Sequence, residues 1–155
     1  MNDAAMRTVL DCMIYAQGLI NPSGPAGECL ARGTQGDFTI VLSQHVISEI
    51  LELPSKLPAK FAITDQKVAA LLDAVIPVAL LLEVVPHVFD HPIDPDDSAY
   101  VDLAVATGAK LIVSRDRHLL GLNDCNKPWS AEFRKRFPEL KVLTVNELLA
   151  LLRKT

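Results

Sequence analysis

Short apolar runs alternate along the chain with segments in which apolar residues recur at helical spacing. The runs are rich in Val, Ile and Leu and are bounded by charged residues, Pro or Gly, which is typical of strands buried on both faces. Strands are predicted at residues 7–10, 38–42, 82–85, 111–114 and 141–143.

The segments between these runs carry the signals that begin and end helices. Ser43 and Thr64 are predicted N-caps, and Thr144 with Glu147 three residues later has the pattern of a capping box. Residues 86–97 are rich in Pro and Asp and are predicted to form a loop. The remaining helices are predicted from Pro25 to Gly33, through Tyr100 to Gly108, and in a short stretch after Asp116.

This alternation predicts an α/β fold, a three-layer α/β/α sandwich with a mostly parallel central sheet. No repeat or change of composition divides the sequence, so we expect one domain over residues 1–155. In open parallel sheets, ligands bind beyond the carboxyl ends of the strands, near the point where the strand order reverses. We therefore expect functional residues at those ends.

Composition narrows the class of protein. The 155 residues are 50% apolar and 22% charged, which is typical of a folded chain, and the net charge of -4 gives no global positive field for nucleic acid. Three cysteines without CxxC spacing favour a reducing, cytoplasmic location. The most apolar stretch, residues 68–85, is broken by Asp73, Pro77 and Glu83, and we expect no membrane span.

Acidic residues lie at or near the ends of the predicted strands. Asp11 ends the first strand, Glu49 lies on the helix after the second, and Asp116 follows the fourth. Asp97 and Asp102 lie on the helix that leads into the fourth strand. Two carboxylates about 4 Å apart repel by about 4 kcal/mol at an effective dielectric constant near 20, so a cluster needs protons or a cation. Oxygen ligands favour Mg²⁺ or Mn²⁺.

Most of these acids also have an ordinary structural interpretation. Asp97 can cap a helix, Asp116 can form a turn, and Glu49 can lie on a solvated helix surface. A charge that directly ends a buried strand is costly unless it is paired, so Asp11 is the hardest to explain in this way. The prediction of a cation site therefore depends on acids from separate segments converging.

The acids lie within short motifs whose order and spacing are informative. These motifs are found at residues 9–11, 21–25, 42–49, 94–104, 111–116 and 132–138. Together they resemble the PIN-domain family, metal-dependent ribonucleases that include many toxins of prokaryotic toxin–antitoxin pairs. The resemblance implies an α/β/α sandwich that forms a homodimer or higher homo-oligomer, an RNA substrate and a partner antitoxin protein.

The resemblance also implies roles for individual residues. The catalytic acids and ligands of Mg²⁺ or Mn²⁺ are expected to be Asp11, Glu49, Asp97 and Asp116. The family often has its third acid where this chain has Ser98, so Asp102, one turn later, is a further candidate ligand. Ser98 and Ser114 are expected to support the site.

Basic residues near the predicted site are candidates for guiding an RNA backbone. They are Arg115, Arg117, Arg134 and Arg136. The last two lie in a basic segment with Phe133 and Phe137, and the alternative is a solvated helix face that covers core aromatics. His118 can contact phosphate or lie on a helix surface. His87 and His91 have the spacing of helical metal ligands, but the flanking prolines favour a loop.

These observations predict a metal-dependent endoribonuclease, the toxin of a toxin–antitoxin pair. The alternative is a catalytically weakened RNA- or protein-binding module. Its basis is that Cys12 and Met13 replace the polar residues that often follow the first Asp in the family, and that Ser98 stands where the third acid often falls. Phosphoryl transfer through an aspartyl-phosphate is disfavoured, since Met13 occupies the position of the second acid in an Asp-x-Asp motif.

Overall fold

A computed structural model describes residues 6–154 and contains a five-stranded sheet. The strands are β1 (Arg7–Leu10), β2 (Thr39–Ser43), β3 (Leu80–Leu82), β4 (Leu111–Val113) and β5 (Lys141–Leu143). Their order in the sheet is β3-β2-β1-β4-β5, and every pair of neighbours is parallel. The sheet grows from β1 towards β3 and then continues on the other side at β4, so the strand order reverses between β1 and β4.

Helices connect the strands, and three of them begin at the predicted caps Ser43, Thr64 and Thr144. They are α1 (Cys12–Ile20), α2 (Pro25–Thr34), α3 (Gln44–Leu51), α4 (Leu53–Lys56), α5 (Asp65–Val75), α6 (Ser98–Thr107), α7 (Arg117–Leu120), α8 (Ala131–Arg136) and α9 (Val145–Arg153). The hydroxyl oxygens of Ser43 and Thr64 each accept a hydrogen bond from the backbone N–H of the residue three positions later, Val46 and Lys67, both at 3.1 Å. Thr144 and Glu147 form the predicted capping box at the start of α9.

The helices form a layer on each face of the sheet. Parallel crossovers are right-handed, which places α1 and α2 on one face and α6 on the other. Helix α2 packs against both α1 and α9, and α6 packs against β1, β2 and β4. The three-layer α/β/α sandwich with a parallel sheet is therefore confirmed.

The core explains why the strands were visible in the sequence. Val9, Val41 and Ile112 in the three central strands are fully buried, because helices cover both faces. Helix α6 is apolar around most of its circumference and contributes Val101, Leu103 and Ala104 to the same cluster. No helix within residues 6–154 has the length and apolar character to cross a bilayer.

Two features of the architecture differ from the predictions. The strand predicted at residues 82–85 lies at Leu80–Leu82, because residues 84–86 belong to the loop that runs to α6. Helix α1 has no counterpart in the prediction, since its sequence is apolar on all sides and contains Gly18. A Cβ at Gly18 would lie 2.4 Å from Leu30 Cδ1, so this glycine allows α1 and α2 to pack closely. The loop containing His87 and His91 is confirmed.

Candidate active site

Asp11 stands where β1 ends and α1 begins. Its backbone N–H donates to Val113 O at 3.0 Å, and its Oδ1 accepts from the N–H of Met13 at 2.7 Å, which makes it the N-cap of α1. The Ser114 hydroxyl donates to Asp11 Oδ2. Burial raises the pKa of Asp11, although these two hydrogen bonds oppose that effect. The carboxyl group is therefore a buried acid fixed in position by both of its oxygens.

Ser114 connects Asp11 to the acid that follows β4. Its Oγ accepts from the N–H of Asp116 at 2.9 Å while its hydroxyl donates to Asp11. Asp116 Oδ1 accepts from the N–H of His118 at 2.7 Å and so caps α7. One small hydroxyl thus sets the positions of two acids that follow the adjacent strands β1 and β4.

Glu49 reaches the same region from α3 and is held by Tyr100 of α6. The Tyr100 hydroxyl donates to Glu49 Oε1 at 2.6 Å and accepts from the N–H of Cys12 at 3.1 Å. Burial, and then the nearby charge of Glu49, raise the pKa of Tyr100, so the phenol remains a proton donor. Tyr100 therefore links α3, α6 and the start of α1 at the site.

Asp97 lies at the start of α6, and its side chain does not cap the helix. The residue is only 7% exposed, and among residues 6–154 no group hydrogen-bonds to its buried Oδ2. Burial raises the pKa of Asp97 to about 7, with further contributions from Asp116, Asp94 and Asp11. A buried carboxylate without a hydrogen-bond donor is costly, so this oxygen requires a proton or a cation.

The four acids border one open cleft of about 700 Å³ at the carboxyl edge of the sheet. Its lining includes Asp11, Glu49, Asp97 and Asp116, together with the exposed Asp96. The cations that line it are Arg115 and Lys56, and Lys56 is paired with Glu52 at 2.8 Å. The cleft therefore carries an excess of negative charge beside buried oxygens, a donor set that fits a hard divalent cation.

Asp102 and Ser98 do not reach this cleft. Asp102 Oδ1 accepts from the N–H groups of Val88 and Phe89 at 2.9 and 3.0 Å, and its Oδ2 lies 2.6 Å from His87 Nδ1. Ser98 Oγ accepts from the N–H of His91 at 2.7 Å. The two residues share a helix face, as their spacing indicates, but that face packs against residues 87–91 of the loop before α6. We therefore leave Asp102 out of the ligand set and Ser98 out of the cleft.

The predicted arginines separate into two pairs. Arg115 and Arg117 are exposed just beyond β4, and Arg115 lines the acidic cleft. Arg134 instead donates to Ser130 Oγ at 3.2 Å and to a backbone carbonyl. Arg136 donates to Val88 O at 2.7 Å and borders a depression near the amino ends of β4 and β5, at the opposite edge of the sheet. These structural bonds and this position separate Arg134 and Arg136 from the acids.

Two residues of the site region, Tyr100 and Asp94, were not predicted to serve it, and His118 was predicted only as a possible phosphate contact. Tyr100 lies three residues after Asp97, a spacing that places both on one face of a helix. Asp94 and His118 flank the cleft, and one ligand atom from each lies within 4.8 Å of oxygens of Asp97 and Asp116. Two features of the sequence could have indicated that these residues lie near the site. Asp94 directly precedes Pro95 in the segment that leads to Asp97, and His118 follows Asp116 by two residues.

The fold and the site define a class: a parallel α/β/α domain with an acidic cleft where the strand order reverses. The family model of the PIN domain matches residues 7–118, and the chain belongs to the PIN domain family. No curated protein matches the chain significantly.

Two solved structures share the fold. One is the crystal structure of VapBC2 from Rickettsia felis bound to a DNA fragment from their promoter, with a TM-score of 0.56 and 17% identity. The other is DNA-bound VapBC from Salmonella typhimurium, with a TM-score of 0.52 and 15% identity. In each case the alignment covers 90% of this chain and 98% of the other.

Proposed function

We propose that this protein is a metal-dependent endoribonuclease that hydrolyses RNA phosphodiester bonds. The observation that carries the proposal is the buried Asp97 Oδ2, which has no hydrogen-bond donor in the described chain and lies among further acids. Membership of the PIN domain family supports the same reaction class.

Asp11, Glu49, Asp97 and Asp116 would hold Mg²⁺ or Mn²⁺ in this cleft. Bound there, the cation supplies Lewis acidity that activates water and stabilises the negative charge building on a phosphodiester. It would also offset the repulsion that an RNA backbone meets from the carboxylates.

The residues around these acids keep them in place for that chemistry. Ser114 fixes Asp11 and Asp116 relative to each other, and Tyr100 fixes the carboxylate of Glu49. A protonated Tyr100 orients Glu49 without adding charge. Arg115 and Arg117 are exposed beside the acids and would contact the phosphates that flank the cleaved bond, with an affinity that falls as salt rises.

The test is cleavage of a fluorophore-labelled single-stranded RNA in Mg²⁺ or Mn²⁺, in EDTA, and with the Asp11→Asn variant. Asparagine keeps an oxygen that can cap α1 while it removes the charge, so we expect a folded protein. Cleavage should require the cation and fall at least about a hundredfold in the variant. Asp73→Asn, an exposed change on α5, is the matched control and should cleave like the wild type.

Cleavage that ignores both EDTA and Asp11→Asn would contradict the metal-site proposal. Calorimetry with Mn²⁺ then separates an enzyme from a binding module of the same fold. Binding that disappears in Asp11→Asn supports the enzyme. No binding at millimolar Mn²⁺ favours the weakened module, which is the alternative function.

The biological setting is a separate part of the proposal. We infer a cytoplasmic toxin whose partner is an antitoxin protein, because the fold is shared with proteins from VapBC complexes. The exposed apolar side chains of Met13 and Phe61 line the cleft and offer a surface for such a partner. Multi-angle light scattering of the chain alone tests the expected homodimer. A measured molar mass of about 17 kDa, the mass of one chain, would contradict it.

A further inference from the structure

A second group of possible ligands adjoins the proposed site and includes a histidine. One ligand atom from each of Asp94, Asp97, Asp116 and His118 lies within 4.8 Å of all the others. Two ligands on opposite sides of one cation are about 4.2 to 4.6 Å apart, because ligand distances are about 2.1 to 2.3 Å. Adjacent ligands of one ion are about 3 Å apart, so the side chains would have to close by up to about 1 Å to surround one ion.

The two side chains that face each other at the rim leave room between them. His118 Nδ1 is 3.8 Å from Asp94 Oδ2 and 4.0 Å from Asp116 Oδ1, too far for a hydrogen bond. Asp94 Oδ1 accepts instead from the N–H of Asp96 at 3.2 Å, which directs Oδ2 towards the histidine. The ring nitrogen and the two carboxylates therefore face one another without a direct hydrogen bond, and a cation between them would contact all three.

Asp97, whose unpartnered oxygen also carries the proposed function, belongs to this group as well. Its side chain is more than nine-tenths buried, one of its oxygens belongs to the group of four, and its Oδ2 has no hydrogen-bond partner within residues 6–154. A buried oxygen that no protein donor satisfies is available to a cation.

The buried ring of His91 holds the backbone of Asp94 and His118, the two outer members of this group. It is 2% exposed, its Nδ1 accepts from the N–H groups of Ile93 and Asp94 at 3.1 and 3.0 Å, and its Nε2 donates to His118 O at 2.9 Å. This pattern fixes a neutral imidazole with the proton on Nε2. One buried ring therefore holds the backbone of both rim ligands, which come from segments far apart in sequence.

We propose that Asp94, Asp97, Asp116 and His118 form a mixed nitrogen and oxygen cation position that selects Mn²⁺ over Mg²⁺ through His118 Nδ1. The inference rests on the proposed function, since Asp97 and Asp116 are shared with the catalytic cation site. Imidazole favours transition metals, whereas Mg²⁺ prefers oxygen ligands alone. The second position would lie beside the first, as in two-metal sites whose ions are about 3.5 to 4 Å apart.

The test is pulsed electron paramagnetic resonance of the full chain with less than one equivalent of Mn²⁺ in excess Mg²⁺. We expect electron spin echo modulation from a ¹⁴N nucleus bound to Mn²⁺, which shifts to the ¹⁵N pattern when the histidines are labelled. His118→Gln should abolish the modulation and weaken Mn²⁺ binding by about tenfold or more. His45→Gln is the matched control, because His45 lies near Glu49 at 3.6 Å, and it should retain the signal.

The possible failures are distinguishable. Bound Mn²⁺ without nitrogen modulation overturns this inference, and EDTA-sensitive RNA cleavage would leave the proposed function intact. Modulation that persists in His118→Gln also overturns it, because the nitrogen then comes from another residue. If the wild type binds no Mn²⁺ and cleaves RNA in EDTA, both proposals fail. The labelled wild type decides the question even if His118→Gln does not fold.

Discussion

Asp97→Asn tests whether the acid cluster is strained when no cation is bound. The substitution removes one negative charge from beside Asp94, Asp116 and Asp11 and replaces a buried oxygen with an amide that can donate hydrogen bonds to them. Helix α6 loses no cap, because the Asp97 side chain makes no capping hydrogen bond. The variant should therefore be more stable than the wild type in EDTA at alkaline pH.

The size and sign of the effect follow from the pKa of Asp97, raised from its ordinary 3.8 to about 7. A carboxyl with a higher pKa in the folded state stabilises the fold when protonated, and this contribution is lost as pH rises from about 4 to about 7. A shift of this size corresponds to about 4 kcal/mol. We take about half, roughly 2 kcal/mol, because water in the open cleft screens the charge.

Urea unfolding followed by circular dichroism, with EDTA present, measures this difference. Asp97→Asn should raise the free energy of unfolding at pH 8 by about 2 kcal/mol, or the melting temperature by about 4 to 8 °C. The advantage should nearly vanish at pH 4. Saturating Mn²⁺ should reverse the order, because a ligand at a hundred times its dissociation constant stabilises its protein by about 2.7 kcal/mol and the variant has lost a ligand.

Asp96→Asn is the matched control, since Asp96 is the exposed neighbour of Asp97 in the same segment. It should change the free energy of unfolding by less than about 0.5 kcal/mol. If Asp97→Asn destabilises the EDTA-treated protein at pH 8, or if its effect is the same at pH 4 and pH 8, the account of a strained acid cluster is wrong.

Three further predictions concern the surroundings of the site. Tyr100→Phe should lower the free energy of unfolding by about 1 to 3 kcal/mol, because it leaves the Cys12 N–H unpaired. Tyr15→Phe removes a buried hydroxyl that has no hydrogen-bond partner within residues 6–154, so it should be neutral or stabilising in the same urea titration. Gly27→Ala should cost about 1 to 3 kcal/mol in thermal unfolding, since its Cβ would lie 2.0 Å from Pro22 O. Ellman's reagent at pH 8 should modify the exposed Cys125 rapidly and Cys12 slowly, because burial raises the pKa of the Cys12 thiol to about 12.

The sheet was predictable because parallel strands covered on both faces must be apolar along their whole length. The runs around Val9, Val41 and Ile112 meet that condition and also follow polar or Gly-containing turns. Helix α1 was not predictable by periodicity, since it packs against both α2 and α3 and shows no continuous polar face. Strand β3 was misplaced by two residues at its start and three at its end, because apolar residues continue beyond it into the loop.

The convergence of Asp11, Glu49, Asp97 and Asp116 in one cleft follows from the topology, because the carboxyl ends of parallel strands share an edge. Side-chain direction does not follow from topology. Asp102 is on the same helix as Asp97, yet it faces a loop whose path depends on tertiary packing. His91 shows the same limit, since the bond from its ring to the carbonyl of His118 becomes apparent only when residues 91–94 meet α7.

Asp97 is the residue that separates a functional cluster from a set of ordinary structural acids. Asp11 and Asp116 each cap a helix, so a structural role accounts for part of their placement. Asp97 occupies the equivalent position on α6 without capping it, and it lies buried among like charges. Neither capping nor solvation explains a carboxyl in that position. A bound cation would, because it would supply the counter-charge and the missing partner for Oδ2 at once.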